Sequence, residues 1–415
     1  MNQIQRAAAA LSSLSVFRGV LDQAVPRAFY RLLWAPQGSE REFFEAWGAF
    51  SASLCEQNGC DSLSRCLTEP VLDDDNAFSR MAASGTAEFP PALLEAASRD
   101  LEILLDAAAL SPEDVLSGSG FAGRAEGLRL PGWKAGEPVP PLRGKGEGRA
   151  RRLAEYYRKN GCGLFARRRA FFWRDGTLRP VAHPDPVRLA DLSGYEIQRR
   201  MAVENTAAFL RGLPANNCLL YGDRGTGKSS TVKALLNEYY PQGLRMIQMP
   251  KEALSGFPAL AGRLAGLPLK FIIFIDDLTF THDDASYAPL KAVLEGGLAS
   301  RPENTLVYAT SNRRHLVRET FSDREGDEIH RNDTIQENLS LADRFGLSIC
   351  FSLPDKKEYL AIVRSLAQRR GLRIEPEQLE AGAERWAIAR GGRSPRCAVQ
   401  YIRALEAQIR PRDPA

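Results

Sequence analysis

The octapeptide Gly222-Asp223-Arg224-Gly225-Thr226-Gly227-Lys228-Ser229 fills every fixed position of the phosphate-binding pattern GxxxxGK(S/T). Its three glycines carry no Cβ, so the backbone can wrap closely round a phosphate and turn successive N–H groups inward as an anion nest. Lys228 is expected to reach the β- and γ-phosphate oxygens and the Ser229 hydroxyl to ligate Mg²⁺. Asp223, Arg224, Thr226 and Ser230 complete the set expected to border the phosphates. The run before the loop, Asn217 to Tyr221, is short and apolar, and Ser229 to Tyr240 continues in a helical pattern. This is the strand-loop-helix setting the loop needs, with the helix offering its positive dipole end to the anion.

A second cluster follows at Phe271-Ile272-Ile273-Phe274-Ile275-Asp276-Asp277, five apolar residues ending in two carboxylates. A buried strand of this kind delivers Asp276 beside the phosphates, where it can hold Mg²⁺ through water, and leaves Asp277 to polarise the attacking water. A third strand, Thr305 to Asn312 (TLVYATSN), ends in an amide that can hydrogen-bond the γ-phosphate or the water.

The order of these elements, with the phrases ANNCLLYGDRGTGKSS, FIIFIDDLTF, YAPLKAVLEGGL, YATSNRRHL and LSLADRFGL, resembles the AAA+ ATPases. From about 183 to 405 it is similar to the DUF815 family of bacterial AAA+ proteins of uncharacterised function. The resemblance implies MgATP as ligand and ATP hydrolysis as activity. It assigns Asn312 as sensor 1 and Arg344 as an arginine finger offered by a neighbouring subunit, with Arg331 or Arg324 as substitutes. It also implies a homo-oligomer whose active site is completed at the subunit interface. Sensor 2 falls to Arg396 in the first turn of the last helix, or to Arg393 just before it. His183 to Tyr195 matches the region that borders the base, with backbone groups near Leu192 to Tyr195 reading adenine; a guanine signature of the NKxD type is absent from its expected place. Two departures stand out. Asp277 replaces the Glu of many AAA+ motors, and MPKEALSGFPAL, with Gly256 before Phe257, lacks the pore-loop phrase of protein-threading enzymes.

The elements that must position these residues follow from pattern. A chain of 415 residues suggests two or three domains. The expected fold is α/β: helical N-terminal domain 1–116, flexible Gly/Pro-rich linker 117–150, helix plus β-hairpin 151–182, parallel-sheet core 183–353, helical lid 354–415. Strands are expected near 217–221, 244–249, 271–275, 305–310 and 348–352, and lid helices near 355–370, 376–390 and 395–410, the last capped by Ser394.

Net charge is only +4, so contact with a polyanion would need a local patch. The hairpin near 164–181 offers one, mixing Arg167, Arg168, Arg169 and Arg174 with Phe165, Phe171, Phe172 and Trp173. Such a mixture can stack bases; it equally describes a hairpin with aromatics inside and arginines outside. Seven cysteines without a CxxC pair fit a reduced cytoplasm, with Cys218 and Cys350 as small buried hydrophobes and no metal expected at Cys55, Cys60 and Cys66. No run is long and apolar enough for a bilayer, so no membrane partner is expected. The function expected is an ATPase that remodels or switches a protein or nucleic-acid partner held by residues 1 to 180. An initiator-like nucleic-acid binder and an adaptor with little turnover are the alternatives.

Overall fold

The structure, a computed structural model, describes residues 1–57, 62–85, 88–125, 127–144, 148–280, 286–295, 302–312 and 344–409. The chain divides into two compact units, Met1–Arg167 and Arg168–Ala415. That boundary differs from the sequence division: the helix Gly148–Asn160 belongs to the first unit and the hairpin to the second.

The first unit is helical. The helix Glu40–Glu56 starts in a capping box, Ser39 accepting from the Glu42 N–H while the Glu42 carboxylate takes the Ser39 N–H. Its Phe43, Trp47, Phe50 and Leu54 recur at helical spacing and are buried. The stretch 117–150 is not a loose linker where it is described. Trp133 packs its ring 5.1 Å from Trp47 and 4.9 Å from Phe50, and its indole N–H donates to the Leu110 carbonyl at 3.0 Å. Val139 and Leu142 are buried in the same core. Glycine and proline shape the path of this segment, but three apolar side chains anchor it, each worth roughly 1.5–3 kcal/mol of burial.

Among its described residues the second unit holds a seven-stranded sheet in the order β2-β1-β4-β5-β6-β3-β7. The strands are β1 (Ala170–Arg174), β2 (Thr177–Pro180), β3 (Cys218–Gly222), β4 (Leu244–Gln248), β5 (Lys270–Ile275), β6 (Thr305–Ser311) and β7 (Leu347–Phe351). Every neighbouring pair is parallel except β1 and β2. Strands β4, β5 and β6 are buried almost throughout, which is why they read as apolar runs and not as alternations. The hairpin turns at Asp175 and Gly176, both with positive φ (50° and 69°), as a two-residue primed turn requires. Strand β1 then pairs with β4, Ala170 facing Met246, so the hairpin extends the core sheet.

Helices Glu196–Leu210 and Lys228–Tyr239 cover one sheet face. The lid helices Lys356–Arg369, Pro376–Ala389 and Pro395–Ile409 form their own core. Ser394 caps the last, its hydroxyl accepting the Cys397 N–H at 3.2 Å. Cys218 is buried, whereas Cys350 is exposed: β7 is an edge strand, and alternate residues on it face outward. Cys60 lies outside the described residues; Cys55 is exposed and Cys66 buried. Among the described residues no helix is long and apolar enough to cross a membrane.

Candidate nucleotide site

Strand β3 lies between β6 and β7, neither its neighbour in sequence, so the chain reverses direction across the sheet there. Ligands of open α/β sheets bind in such a crevice, at the carboxyl ends of the strands. Gly222 ends β3, Asp276 follows β5 and Asn312 follows β6.

Gly222 is required by its surroundings. Its φ is 128°, and a Cβ there would stand 2.3 Å from the Phe351 carbonyl oxygen of β7. The next residue ties the loop to the same strand: the Asp223 N–H donates to the Phe351 carbonyl at 2.9 Å, and its carboxylate accepts the Leu353 N–H at 2.8 Å. Thr226 closes the turn by donating to the Asp223 carbonyl at 2.8 Å.

Lys228 is 6% exposed, and its ammonium donates to the Gly222 and Asp223 carbonyls at 2.9 and 2.6 Å and to Asn312 Oδ1 at 3.3 Å. Burial lowers its pKa, and the charges of Asp223, Asp277 and Asp276 oppose that shift. Ser229 Oγ donates to Asp276 Oδ1 at 2.6 Å. A hydroxyl and a carboxylate oxygen side by side are hard oxygen donors of the kind Mg²⁺ accepts.

Asp277 adopts a left-handed backbone, φ 55°, which an aspartate tolerates better than most residues. Thr310 on β6 holds it there. The Thr310 hydroxyl accepts the Asp277 N–H at 3.0 Å and donates to Asp276 Oδ1 at 2.6 Å, and its carbonyl accepts the Leu278 N–H at 2.7 Å. The Asn312 amide donates to Asp277 Oδ1. Thr310, which sequence reasoning did not single out, thus fixes both carboxylates; its only signal was its place inside the third strand.

These groups line a cleft of about 770 Å³ that also takes in Gly225, Ser230 and Arg396. A second cavity of about 730 Å³ shares Arg224, Gly225, Asp277, Asn312 and Arg396 with it. The Arg396 N–H donates to the Gly225 carbonyl at 3.1 Å, seating the last lid helix on the loop. Arg393 is engaged elsewhere, in a two-bond pair with Glu384 at 2.9 and 2.8 Å. Of the two sensor 2 candidates, Arg396 is therefore the one at the cleft.

The other end of the cleft is bordered by Asp191 to Tyr195. Tyr195 has φ 61°, stacks its ring 5.2 Å from Phe351 and donates its hydroxyl to the Ser352 carbonyl at 2.6 Å; burial pushes its phenol pKa up. Arg199, also missed in the sequence, lines this end with a buried Nη1 that has no hydrogen-bond partner among the described residues.

Arg344 does not line the cleft. It precedes β7, whose Leu347 pairs with Cys218 and whose Phe351 pairs with Gly222, so it sits beyond the amino ends of the strands, away from its own loop. Arg324, Arg331 and the Arg313–Leu316 phrase lie outside the described residues.

The hairpin is two-sided. Phe171 and Trp173 are buried, Arg174 lies 5.5 Å over the half-buried Phe172, and Arg167 pairs with Glu69 and Asp73 at 2.6 and 2.8 Å. Phe257 is buried too, and a Cβ on Gly256 would stand 2.8 Å from the Trp173 indole nitrogen. Core packing accounts for that Gly-Phe pair.

A Holliday junction branch migration complex subunit RuvB 2 from Synechococcus sp. (strain JA-3-3Ab) is 32% identical over 126 residues, covering 27% of this chain and 33% of the relative. The chain thus spans about a third of that relative's length. The Thermotoga maritima RuvB branch migration motor matches at 16% identity and TM-score 0.38 over 54% of this chain and 65% of its own. AMPPCP-bound DnaA from Aquifex aeolicus matches at 16% identity and TM-score 0.36, covering 54% and 67%. The model of a protein family of unknown function, DUF815, matches residues 166–409, and this chain belongs to that family.

Proposed function

We propose that this chain hydrolyses MgATP and uses the cycle to remodel or switch a macromolecular partner. The observation that carries the reading is the continuous network Lys228–Asn312–Asp277–Thr310–Asp276–Ser229, which gathers a cation, a polar amide, two carboxylates and two hydroxyls at one loop. Lys228 and the loop N–H groups would hold the β- and γ-phosphates, and Asn312 would orient the γ-phosphate or the attacking water. Asp277 would polarise that water, from a side chain one methylene shorter than glutamate. Magnesium, held by Ser229 and Asp276, would neutralise charge on the phosphate oxygens. Gly222, Asp223, Arg224, Gly225, Thr226, Gly227 and Ser230 complete the phosphate border, and Arg396 would meet the γ-phosphate from the lid.

Arg344 lies at the far end of its own strands from the loop, and in a homo-oligomer it would serve a neighbour's site. The partner, a protein or a nucleic acid, would bind through the N-terminal unit.

Steady-state phosphate release tests the reading. Asp277→Asn should lower turnover about 10²-fold while ATP still binds, and Lys228→Ala should lose binding. Mixing Lys228→Ala with Arg344→Ala should restore activity that neither has alone, since mixed interfaces contain one intact loop and one intact finger. A wild type that binds ATP without releasing phosphate would overturn the enzymatic reading.

A further inference from the structure

The lid helix Lys356–Arg369 ends against the strap that borders the far end of the cleft. Arg369 Nη1 donates to the Ala190 carbonyl at 2.6 Å, and Nη2 donates to Ser193 Oγ at 2.7 Å and to the Leu192 carbonyl at 3.3 Å. The hydroxyls of Ser193 and Ser365 lie 3.4 Å apart. Gly194, at φ 73°, brings its Cα so close to the lid that a Cβ would stand 2.9 Å from Ile362 Cδ1. On its core side the strap is held through Tyr195, whose ring and hydroxyl meet Phe351 and Ser352. The strap thus has two attachments, and the one to the lid runs mainly through a single guanidinium.

We propose that Arg369 is a positioning residue that makes strap 190–195 a part of the lid, so that the base-binding end of the cleft opens and closes with it. This rests on the nucleotide reading above. A planar fork suits the task, since its two terminal nitrogens reach two carbonyls and a hydroxyl on three separate residues, where an ammonium would have to serve all three from one nitrogen. The consequence is a division of labour. Arg369 sets affinity for the nucleoside part of the ligand and leaves the polyphosphate part to the loop.

The test compares ATP, ADP and inorganic tripolyphosphate on the full chain carrying Arg369→Ala, Arg369→Lys or Ser193→Ala. Arg369→Ala should weaken ATP and ADP alike by about five- to tenfold, because the lost bonds are partly exposed to solvent. Arg369→Lys should fall between it and wild type. Tripolyphosphate affinity and turnover at saturating ATP should stay within about twofold of wild type. Ser193→Ala removes only the strap hydroxyl, with its bonds to Arg369 and Ser365, and leaves the sequence of the lid helix unchanged, so a smaller loss in the same direction supports the assignment even if Arg369→Ala lowers the melting temperature. Unchanged ATP and ADP affinities, or an equal loss for tripolyphosphate, would overturn the role of Arg369. A wild type that binds neither ATP nor tripolyphosphate would bring down the nucleotide reading itself.

Discussion

The two ends of the cleft are built in different ways. At the phosphate end the groups that matter sit at or just beyond the carboxyl ends of buried strands, and they hold one another through side-chain hydrogen bonds of 2.6 to 3.3 Å. At the base end the wall is an irregular strap, its backbone carbonyls captured by an arginine from the lid. One end is fixed to the sheet; under the proposal above the other would follow the lid, which would put rigidity where charge must be stabilised and mobility where a ligand must enter and leave.

Three substitutions can break or sharpen this contrast. The largest effect belongs to Gly222→Ala, since the added methyl meets the backbone of β7 and not a side chain that could move. ATP and tripolyphosphate binding should both disappear, as titration calorimetry would register; retained tripolyphosphate binding would show that the loop tolerates displacement. Thr310→Val comes next. It strips Asp276 of a donor and leaves the Asp277 N–H without its acceptor, so turnover should fall about ten- to a hundredfold with ATP affinity little changed. A rate within twofold of wild type would mean that Asp277 holds its position without Thr310.

The smallest effect concerns the lid. The Arg393 guanidinium holds the Glu384 carboxyl below the usual glutamate range, helped by Lys356. A depressed carboxylate pKa adds stability above the unfolded value of about 4.3, and that stability is lost as pH falls through the lowered folded value. Glu384→Gln should lower the melting temperature slightly at neutral pH, and the gap to wild type should close in strongly acidic buffer. A gap that persists there would assign the effect to packing.

The same contrast explains what could be read from residue order. The loop, the acidic strand end and Asn312 were legible because phosphate chemistry demands particular residue types at short spacings. The five core strands and three lid helices were legible because buried strands read as apolar runs and the helices carry caps such as Ser394. Thr310 was not, since a threonine in an apolar strand shows no hint of which way its hydroxyl points. Arg369 was hidden for another reason: it acts on carbonyls that any sequence supplies, far away along the chain. The stretch 117–150 misled because composition reports backbone freedom and is silent about where one tryptophan is anchored.

The pairing of β1 with β4 bears on what counts as one inheritable piece. The nucleotide motifs begin only after residue 183, yet cutting there would strip β4 of β1, its partner on one side, and leave that edge at Met246 and Ile247 open to any passing strand. The family match starts at residue 166 and the compact unit at Arg168, both upstream of the hairpin. The segment that recurs among relatives and the segment that folds share this beginning, so the hairpin travels with the nucleotide site as its selvage, the woven border that keeps the sheet from unravelling into its neighbours.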